Sequence, residues 1–256
     1  MLFRSFIDKA VEKYIYHLHF TMDDNLSLSQ KIKDKFRRMF TGVFFKRFIL
    51  GLWVASDGLI YQQFADEPAG FIVDDEWLKE HPIIYGTIGV DFGGTKSAHT
   101  FTFTGFTKGF KEVVTVSEYY KKKRISPKTL EADFCDFVKR IQSKYKCYEA
   151  YMDSAEQTLI TGMEAAVIKA GIAIDVKNAI KGKINNRIAF YNSMMAQGRY
   201  KIHKSCKYTK EALENAVYDE KQATKDIRLD DGLMNIDSLD AMEYSTEYIQ
   251  DDIMYL

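Results

Sequence analysis

The sequence contains few cysteines, few prolines and no long apolar run. Its three cysteines, Cys135, Cys147 and Cys206, lie far apart and form no CxxC pair. This spacing argues against a disulfide framework or a zinc site and predicts reduced thiols in a cytosolic protein. The longest apolar run, residues 48–55, is far shorter than the roughly 20 residues that span a bilayer. No secretory signal is indicated, because charges interrupt the apolar positions near the N-terminus. We therefore expect a soluble protein without a membrane partner.

Net charge is also absent, because 36 Lys and Arg balance 36 Asp and Glu. The two signs are nevertheless separated along the chain. Residues 176–210 contain nine bases and no acid, whereas residues 211–256 contain thirteen acids and three bases. This separation is typical of a protein that binds phosphates beside a group of metal-binding carboxylates. A solvated basic loop that pairs with the acidic tail explains the pattern equally well.

The apolar pattern predicts an α/β protein with a mixed sheet. Strands are predicted over residues 83–90, 98–106, 112–120, 148–152 and 172–176. Helices are predicted from Ser126-Pro127 to about residue 145, between residues 153 and 171, and over residues 185–197 and 236–249. Three meandering strands followed by alternating helices and strands is the element order of the ribonuclease H-like fold. Before residue 83, the sequence predicts a helix ending near residue 40, a strand over residues 44–61 and a connector over residues 65–82.

Two aspartates stand where predicted buried strands end. Asp91 follows one apolar strand and Asp153 follows another, so both are expected at the edge of the sheet where ligands gather. Asp237 and Asp240 share one face of the last predicted helix. Carboxylates suit Mg²⁺ or Mn²⁺, and two such ions about 4 Å apart can hydrolyse a phosphodiester. The alternative is structural, since Asp237 could cap the helix and Asp240 could be an acid of its first turn.

A glycine-rich turn follows the first of these aspartates. The segment DFGGTK, residues 91–96, is similar to the phosphate-binding turn of sugar kinases and actin-like ATPases. A P-loop is excluded, because no GxxxxGK[ST] occurs in the sequence. The kinase interpretation also requires a second glycine-rich phosphate turn, but Asp153 is followed by Ser-Ala-Glu-Gln. A phosphotransferase that uses DFGGTK stays open as the second enzyme hypothesis.

Several segments, in this order, closely resemble the large terminase subunits of tailed phages and prophages. They are HFTMDDNLSLS (19–29), TGVFFKRFILGLWVASDGLIYQQF (41–64), IGVDFGGTKSAHTF (88–101), YMDSAEQTLI (151–160) and NIDSLDAMEYSTEYI (235–249). Large terminases join an ATPase that packages DNA to a ribonuclease H-like nuclease that cuts it. The resemblance implies that residues 1–65 end an ATPase domain, that residues 66–82 are a linker, and that residues 83–256 are the nuclease.

The resemblance also implies a site and partners. It assigns the catalytic and metal-binding acids to Asp91, Asp153 and Asp240, with two Mg²⁺ or Mn²⁺ ions as cofactors. Family members often have His three residues before the last acid, where this chain has Asp237. We count Asp237 as a fourth, assisting catalytic acid whose role stays open between binding metal and orienting a ligand or water. The acid-free segment that contains Lys177, Lys181, Lys183 and Arg187 is expected to contact DNA phosphates, with a solvated loop as the alternative.

The resemblance implies that the protein cuts concatemeric double-stranded phage DNA during genome packaging, in the cytoplasm of the bacterial host. The expected partners are double-stranded DNA, the portal protein and the small terminase subunit. The ATPase motifs of the family are missing, so we expect no ATP hydrolysis from this chain alone. The alternative without enzymatic activity is an inert terminase remnant that acts as a binding module.

Overall fold

A computed structural model describes residues 16, 18–40, 44–52, 58–94, 97–219, 227–230 and 235–255 of the chain. Its centre is a seven-stranded sheet in the order β1-β7-β4-β3-β2-β5-β6. The strands are β1 (Ile72–Val73), β2 (Tyr85–Asp91), β3 (His99–Phe106), β4 (Val113–Lys121), β5 (Cys147–Met152), β6 (Asp175–Asn178) and β7 (Tyr200–His203). β3 is antiparallel to both of its neighbours, and the other adjacent pairs of this sheet are parallel. The carboxyl ends of all the strands except β3 therefore lie at one edge.

Helices flank this sheet on both faces. They are α1 (Gln30–Met39), α2 (Gln62–Asp66), α3 (Asp75–Glu80), α4 (Pro127–Gln142), α5 (Gln157–Lys169), α6 (Ile184–Ala196), α7 (Lys207–Asn215), α8 (Asp237–Glu247) and α9 (Gln250–Tyr255). Single turns of 3₁₀-helix occur at Met22–Asp24, Pro68–Gly70 and Lys108–Phe110. The α/β class predicted from the sequence, with a mixed sheet between helices, is confirmed. No helix in the described ranges combines the length and the apolar character needed to cross a bilayer.

The two faces of the sheet bury separate apolar cores. On one face, α4 and α5 cover β2 and β3 with side chains at helical spacing, among them Leu130, Phe134, Val138 and Met163. On the other face, α8 packs over β2 and β3 and α6 packs over β7, with Tyr191, Met194, Leu239, Met242 and Tyr200 fully enclosed. The central strands β2 and β3 are buried on both faces, and along β3 Phe residues alternate with Thr residues.

Helix α8 lies unusually close to β2 because of one glycine. A Cβ on Gly89 would meet the carbonyl oxygen of Ala241 at 1.9 Å and the amide nitrogen of Ser245 at 2.5 Å. Any other residue at this position would push the helix away from the strand. The hydroxyl of Thr87 donates a further hydrogen bond to the carbonyl oxygen of Ser245. The position of α8 over the carboxyl-terminal half of β2 is thus fixed by direct contact between backbones.

One predicted element is wrong and several short ones were not predicted. The strand expected over residues 44–61 is wrong at its start, where Phe45–Ile49 forms a π-helical turn. Phe40, Phe44 and Phe48 recur every four residues and their rings pack together, a spacing that suits a helix. Residues 53–57 of that prediction lie outside the described ranges. The strand expected over residues 172–176 forms later, as β6. The strands β1 and β7 and the helices α2, α3, α7 and α9 were missed.

Candidate active site

The carboxyl ends of β2 and β5 bring two of the predicted acids together. Val90 of β2 pairs with Met152 of the parallel strand β5. The next residues, Asp91 and Asp153, therefore leave the sheet side by side, and the amide of Asp153 donates to the carbonyl oxygen of Val90 over 2.9 Å. Rigid backbone on two central strands positions both carboxylates, as metal sites require.

Helix α8 brings the other two acids to the same place. The carboxylate of Asp237 accepts a hydrogen bond of 2.7 Å from the amide of Ala98, at the start of β3. The hydroxyl of Thr100, the residue that pairs with Asp91, donates to the carbonyl oxygen of Asp237 over 2.9 Å. Asp240 follows one turn later along α8. One carboxylate oxygen and the carbonyl oxygen of Asp237 thus tie the helix to the sheet.

Electrostatics show that the four carboxylates share one environment. Burial raises the pKa of Asp91 well above its usual range, and repulsion from Asp240, Asp237 and Asp153 raises it further. Burial also raises the pKa of Asp237, although the bond from Ala98 opposes this shift. Burial, followed by the charges of Asp240, Asp91 and Asp153, raises the pKa of Tyr244 on α8. Grouped carboxylates that repel one another favour a bound cation.

Three cations lie against this group: Arg187, 3.8 Å from Asp240 Oδ1, and two others that bind its oxygens more closely. Lys181 Nζ is 2.7 Å from Asp153 Oδ1, and this bond, with one from the amide of Ala155, lowers the pKa of Asp153 although burial raises it. The guanidinium of Arg228 binds Asp240 Oδ1 and Glu243 Oε1, each at 2.6 Å. These contacts neutralise one oxygen of Asp153 and one of Asp240.

The donor set fits a hard divalent ion. It consists of carboxylate oxygens from Asp91, Asp153 and Asp240, the ligand type that Mg²⁺ and Mn²⁺ prefer. As the side chains stand, no three His, Cys, Asp or Glu residues in the described ranges are arranged to hold a metal ion. Since Lys181 and Arg228 each hold an oxygen of this set, binding of an ion requires local rearrangement. Asp91 and Asp153 would be the main ligands and Asp240 the third.

The predicted phosphate-binding residues divide into two kinds. Lys181 and Lys183 are exposed beyond the end of β6, on the loop that leads to α6. Lys177 is in part buried on β6 and forms an ion pair with Glu149. Arg187 is placed differently from that prediction, because it is buried, 6% exposed, and lies 3.4 Å from Glu243. Its guanidinium faces the acids of α8 and is not presented to a phosphate.

A network of buried hydrogen bonds and ion pairs holds α8 against the rest of the structure. Little in the sequence predicts this network. Glu243 is fully buried and binds Arg228 at 2.6 Å and the hydroxyl of Tyr61 at 2.9 Å. Arg187 completes the charge balance from α6. Farther along α8, Glu247 accepts hydrogen bonds from the amides of Lys181 and Gly182, at 3.0 and 2.7 Å. The one sequence feature that could have indicated the network is Arg228, a single base among the acids of residues 226–231.

The glycine turn after Asp91 does not present a phosphate site in the part that the structure describes. The amide of Gly93 donates to the ring nitrogen Nδ1 of His99 over 3.1 Å, and the amide of Gly94 donates to the hydroxyl of Ser97 over 2.7 Å. A phosphate-binding turn needs these amides free for the ligand. Residues 95–96 of the motif lie outside the described ranges. The turn serves the β2–β3 connection, which weakens the kinase hypothesis.

Solved structures of phage proteins share this fold. The large terminase of a thermophilic bacteriophage matches with a TM-score of 0.75 and 28% identity, over 96% of this chain and 58% of that one. The nuclease domain of the P22 large terminase matches with a TM-score of 0.54 and 15% identity, over 77% of this chain and 97% of that domain. The HK97 bacteriophage large terminase matches with a TM-score of 0.54 and 14% identity, over 96% of this chain and 60% of that one.

These likenesses differ in what they support. The P22 and HK97 proteins, at 15% and 14% identity, share the fold alone. The terminase of the thermophilic phage adds sequence similarity over nearly the whole of this chain, which spans 58% of that protein. No model of a known protein family matches the chain, and no curated protein does. The resemblance to phage large terminases that the sequence predicts is thus confirmed by the structure.

Proposed function

We propose that this chain is the nuclease part of a phage large terminase, a Mg²⁺- or Mn²⁺-dependent endonuclease that cuts double-stranded DNA during genome packaging. The observation that carries the proposal is the meeting of Asp91, Asp153 and Asp240 at one sheet edge, where burial and their mutual repulsion raise the pKa of Asp91. The likenesses to the thermophilic phage terminase and to the P22 nuclease domain agree with it in family and in fold.

The chain's own residues would act by position and charge. Asp91 and Asp153, fixed at strand ends, would hold the two ions together, and Asp240 would hold the second. When bound, such a pair of ions activates the attacking water and stabilises the leaving oxygen of the phosphodiester. Asp237 would keep α8 in register through its bond to Ala98. Lys181 and Lys183 would approach phosphates from the loop after β6.

We also propose a division of the chain into domains and a set of protein partners. Residues 1–65 would be the end of the ATPase domain, 66–82 the linker and 83–256 the nuclease. In the described structure β1, inside that linker, pairs with β7, so the linker would also complete the edge of the nuclease sheet. Portal protein and small terminase subunit would be the protein partners, and we expect no ATP hydrolysis by this chain alone.

Plasmid nicking by the purified chain in Mn²⁺ tests the activity. We expect cleavage by the wild type, and a loss of at least about a hundredfold in Asp91→Asn and in Asp153→Asn, because each removes a ligand. Asp136→Asn is the matched control, since Asp136 is exposed on α4, away from the strand ends. Calorimetric titration with Mn²⁺ gives a second readout and should show weaker binding in the same two variants.

The outcomes separate the hypotheses. Equal cleavage by wild type and Asp91→Asn would remove the proposed site, because a contaminating nuclease or another centre would then do the cutting. A folded chain that neither binds Mn²⁺ nor cuts DNA would favour the inert binding module. Phosphate transfer from ATP that is lost on substitution of Thr95 would favour the kinase-like alternative.

A further inference from the structure

A second basic segment lies at the same sheet edge as the acids. Residues 119–130 contain five bases and no acid, and four of these bases are consecutive, Lys121 to Arg124. β4 ends at Lys121, whose ammonium group is 3.1 Å from Asp133. The following three residues, Lys122, Lys123 and Arg124, are exposed. Within the described part of the chain, none of these three forms an ion pair at 4.0 Å or less.

The sheet topology sets the distance between this segment and the acids. β4 runs in the same direction as β2, with β3 between them, so both strands end at the same edge. Two strand spacings correspond to about 10 Å. Lys121 pairs with His99 of β3, next to Ala98, whose amide binds the carboxylate of Asp237. The basic segment therefore begins beside the residues that anchor α8.

A structural role does not account for the charge. Three adjacent bases without ion pairs repel one another, and no acid within residues 119–130 offsets that cost. Among these three bases, Lys122 lies near enough to Asp237 for its charge to lower the pKa of that carboxyl group, without an ion pair. Two acids of the site already have cationic partners, because Lys181 binds Asp153 and Arg228 binds Asp240. Positive charge held next to a buried acidic group is suited to a polyanion that passes over that group.

We propose that Lys122, Lys123 and Arg124 bind phosphates of duplex DNA on the β4 side of the acids, opposite the loop of Lys181 and Lys183. This proposal rests on the proposed nuclease function. From β4 to β6 there are four strand spacings, about 19 Å. A duplex that lies across the strand ends, with a phosphate every ~1.7 Å of its axis, can contact both basic sides at once. Its backbone would then pass over the carboxylates between them.

Salt dependence of DNA binding tests this surface directly. Binding of a fluorescent 30-base-pair duplex is measured by anisotropy in EDTA, over a range of NaCl concentrations, so that no cleavage occurs. In Lys122→Gln/Lys123→Gln/Arg124→Gln we expect affinity to fall roughly tenfold or more, and the slope of log K against log salt to fall by about 3. The control is Lys139→Gln/Lys144→Gln/Lys146→Gln, which has the same net charge as the first triple variant. It removes three exposed lysines near the start of β5, at the end of the strand away from Asp153.

The two triple variants distinguish local contact from general charge. Loss in the first variant with near wild-type binding in the second supports the proposal. Equal slopes in wild type and the first variant would overturn it, as would equal losses in both variants. The result is independent of the nuclease assay, because binding is measured without metal. If the wild type cuts DNA but the salt slope of the first variant is unchanged, only the proposed DNA-binding surface is refuted. If the slope falls in the first variant but the wild type never cuts DNA, only the proposed nuclease function is refuted.

Discussion

Replacement of Arg228 by Met is expected to destabilise the protein strongly. The Arg228 side chain is 2% exposed and bridges Asp240 and Glu243, and Glu243 is fully buried. Removal of one partner of a buried ion pair costs about 3–5 kcal/mol, because the remaining charge stays in a medium of low polarity. For a chain of this size, 1 kcal/mol changes Tm by about 2–4 °C, so Tm should fall by about 6–20 °C.

A second substitution identifies the cause of that loss. In Arg228→Met, Arg187 alone faces both Asp240 and Glu243, so one buried negative charge is in excess. Glu243→Gln added to Arg228→Met removes that excess charge but keeps an acceptor for the hydroxyl of Tyr61. We expect the double variant to recover part of the stability, as measured by urea unfolding followed by circular dichroism. Arg38→Met on the exposed side of α1 is the control and should stay within about 0.5 kcal/mol of wild type. A loss below about 1 kcal/mol in Arg228→Met, or no recovery in the double variant, would refute the reasoning.

Two further predictions concern the charges of the site. Asp91→Asn should raise Tm in EDTA at neutral pH, because the folded-state pKa of Asp91 is raised by burial and by its acidic neighbours. A raised folded-state pKa means that the Asp91 carboxyl group favours folding at low pH, and that this contribution is lost as pH rises through the folded pKa. The Tm gain of Asp91→Asn should therefore shrink on acidification. A Tm gain that does not change with pH would contradict this prediction. Lys181→Met should bind Mn²⁺ more tightly in calorimetry, because Lys181 competes for Asp153 Oδ1, whereas Lys183→Met, an exposed neighbour, should leave the affinity unchanged. Weaker Mn²⁺ binding in Lys181→Met would show that the lysine assists the site.

The features that were predictable are those encoded by local periodicity. Asp91 and Asp153 follow apolar strands long enough to be recognised, and the 3.6-residue pattern of α4 is unambiguous. Periodicity misled where two patterns fit, as in residues 44–52, where aromatic residues suit a strand by propensity and a helix by spacing. The strands β1 and β7 are two and four residues long and exist only because they pair with each other and with β4.

The site features that were missed depend on partners distant in sequence. Arg187 was expected to face DNA because it belongs to a basic run, but α8 covers its side of α6 with Glu243. Tyr61 contacts Glu243 across 182 positions of sequence, a pairing that no local pattern indicates. Arg228 lies in a stretch without helical or strand periodicity, so neither its burial nor its two carboxylate partners followed from spacing. Charge counting identifies bases and acids, and only the fold determines which of them meet.

The composition of α8 has a consequence for mutational tolerance. Nine of its eleven residues are buried, and the two that are less buried are Asp237 and Asp240. The face of the helix against Gly89 admits no larger neighbour, and Glu243 and Glu247 are occupied by internal bonds. Every position of the helix is therefore constrained, either by packing or by chemistry. In a saturation library, α8 should be the segment with the fewest accepted substitutions. Sequence differences between this chain and its relatives should therefore concentrate outside α8.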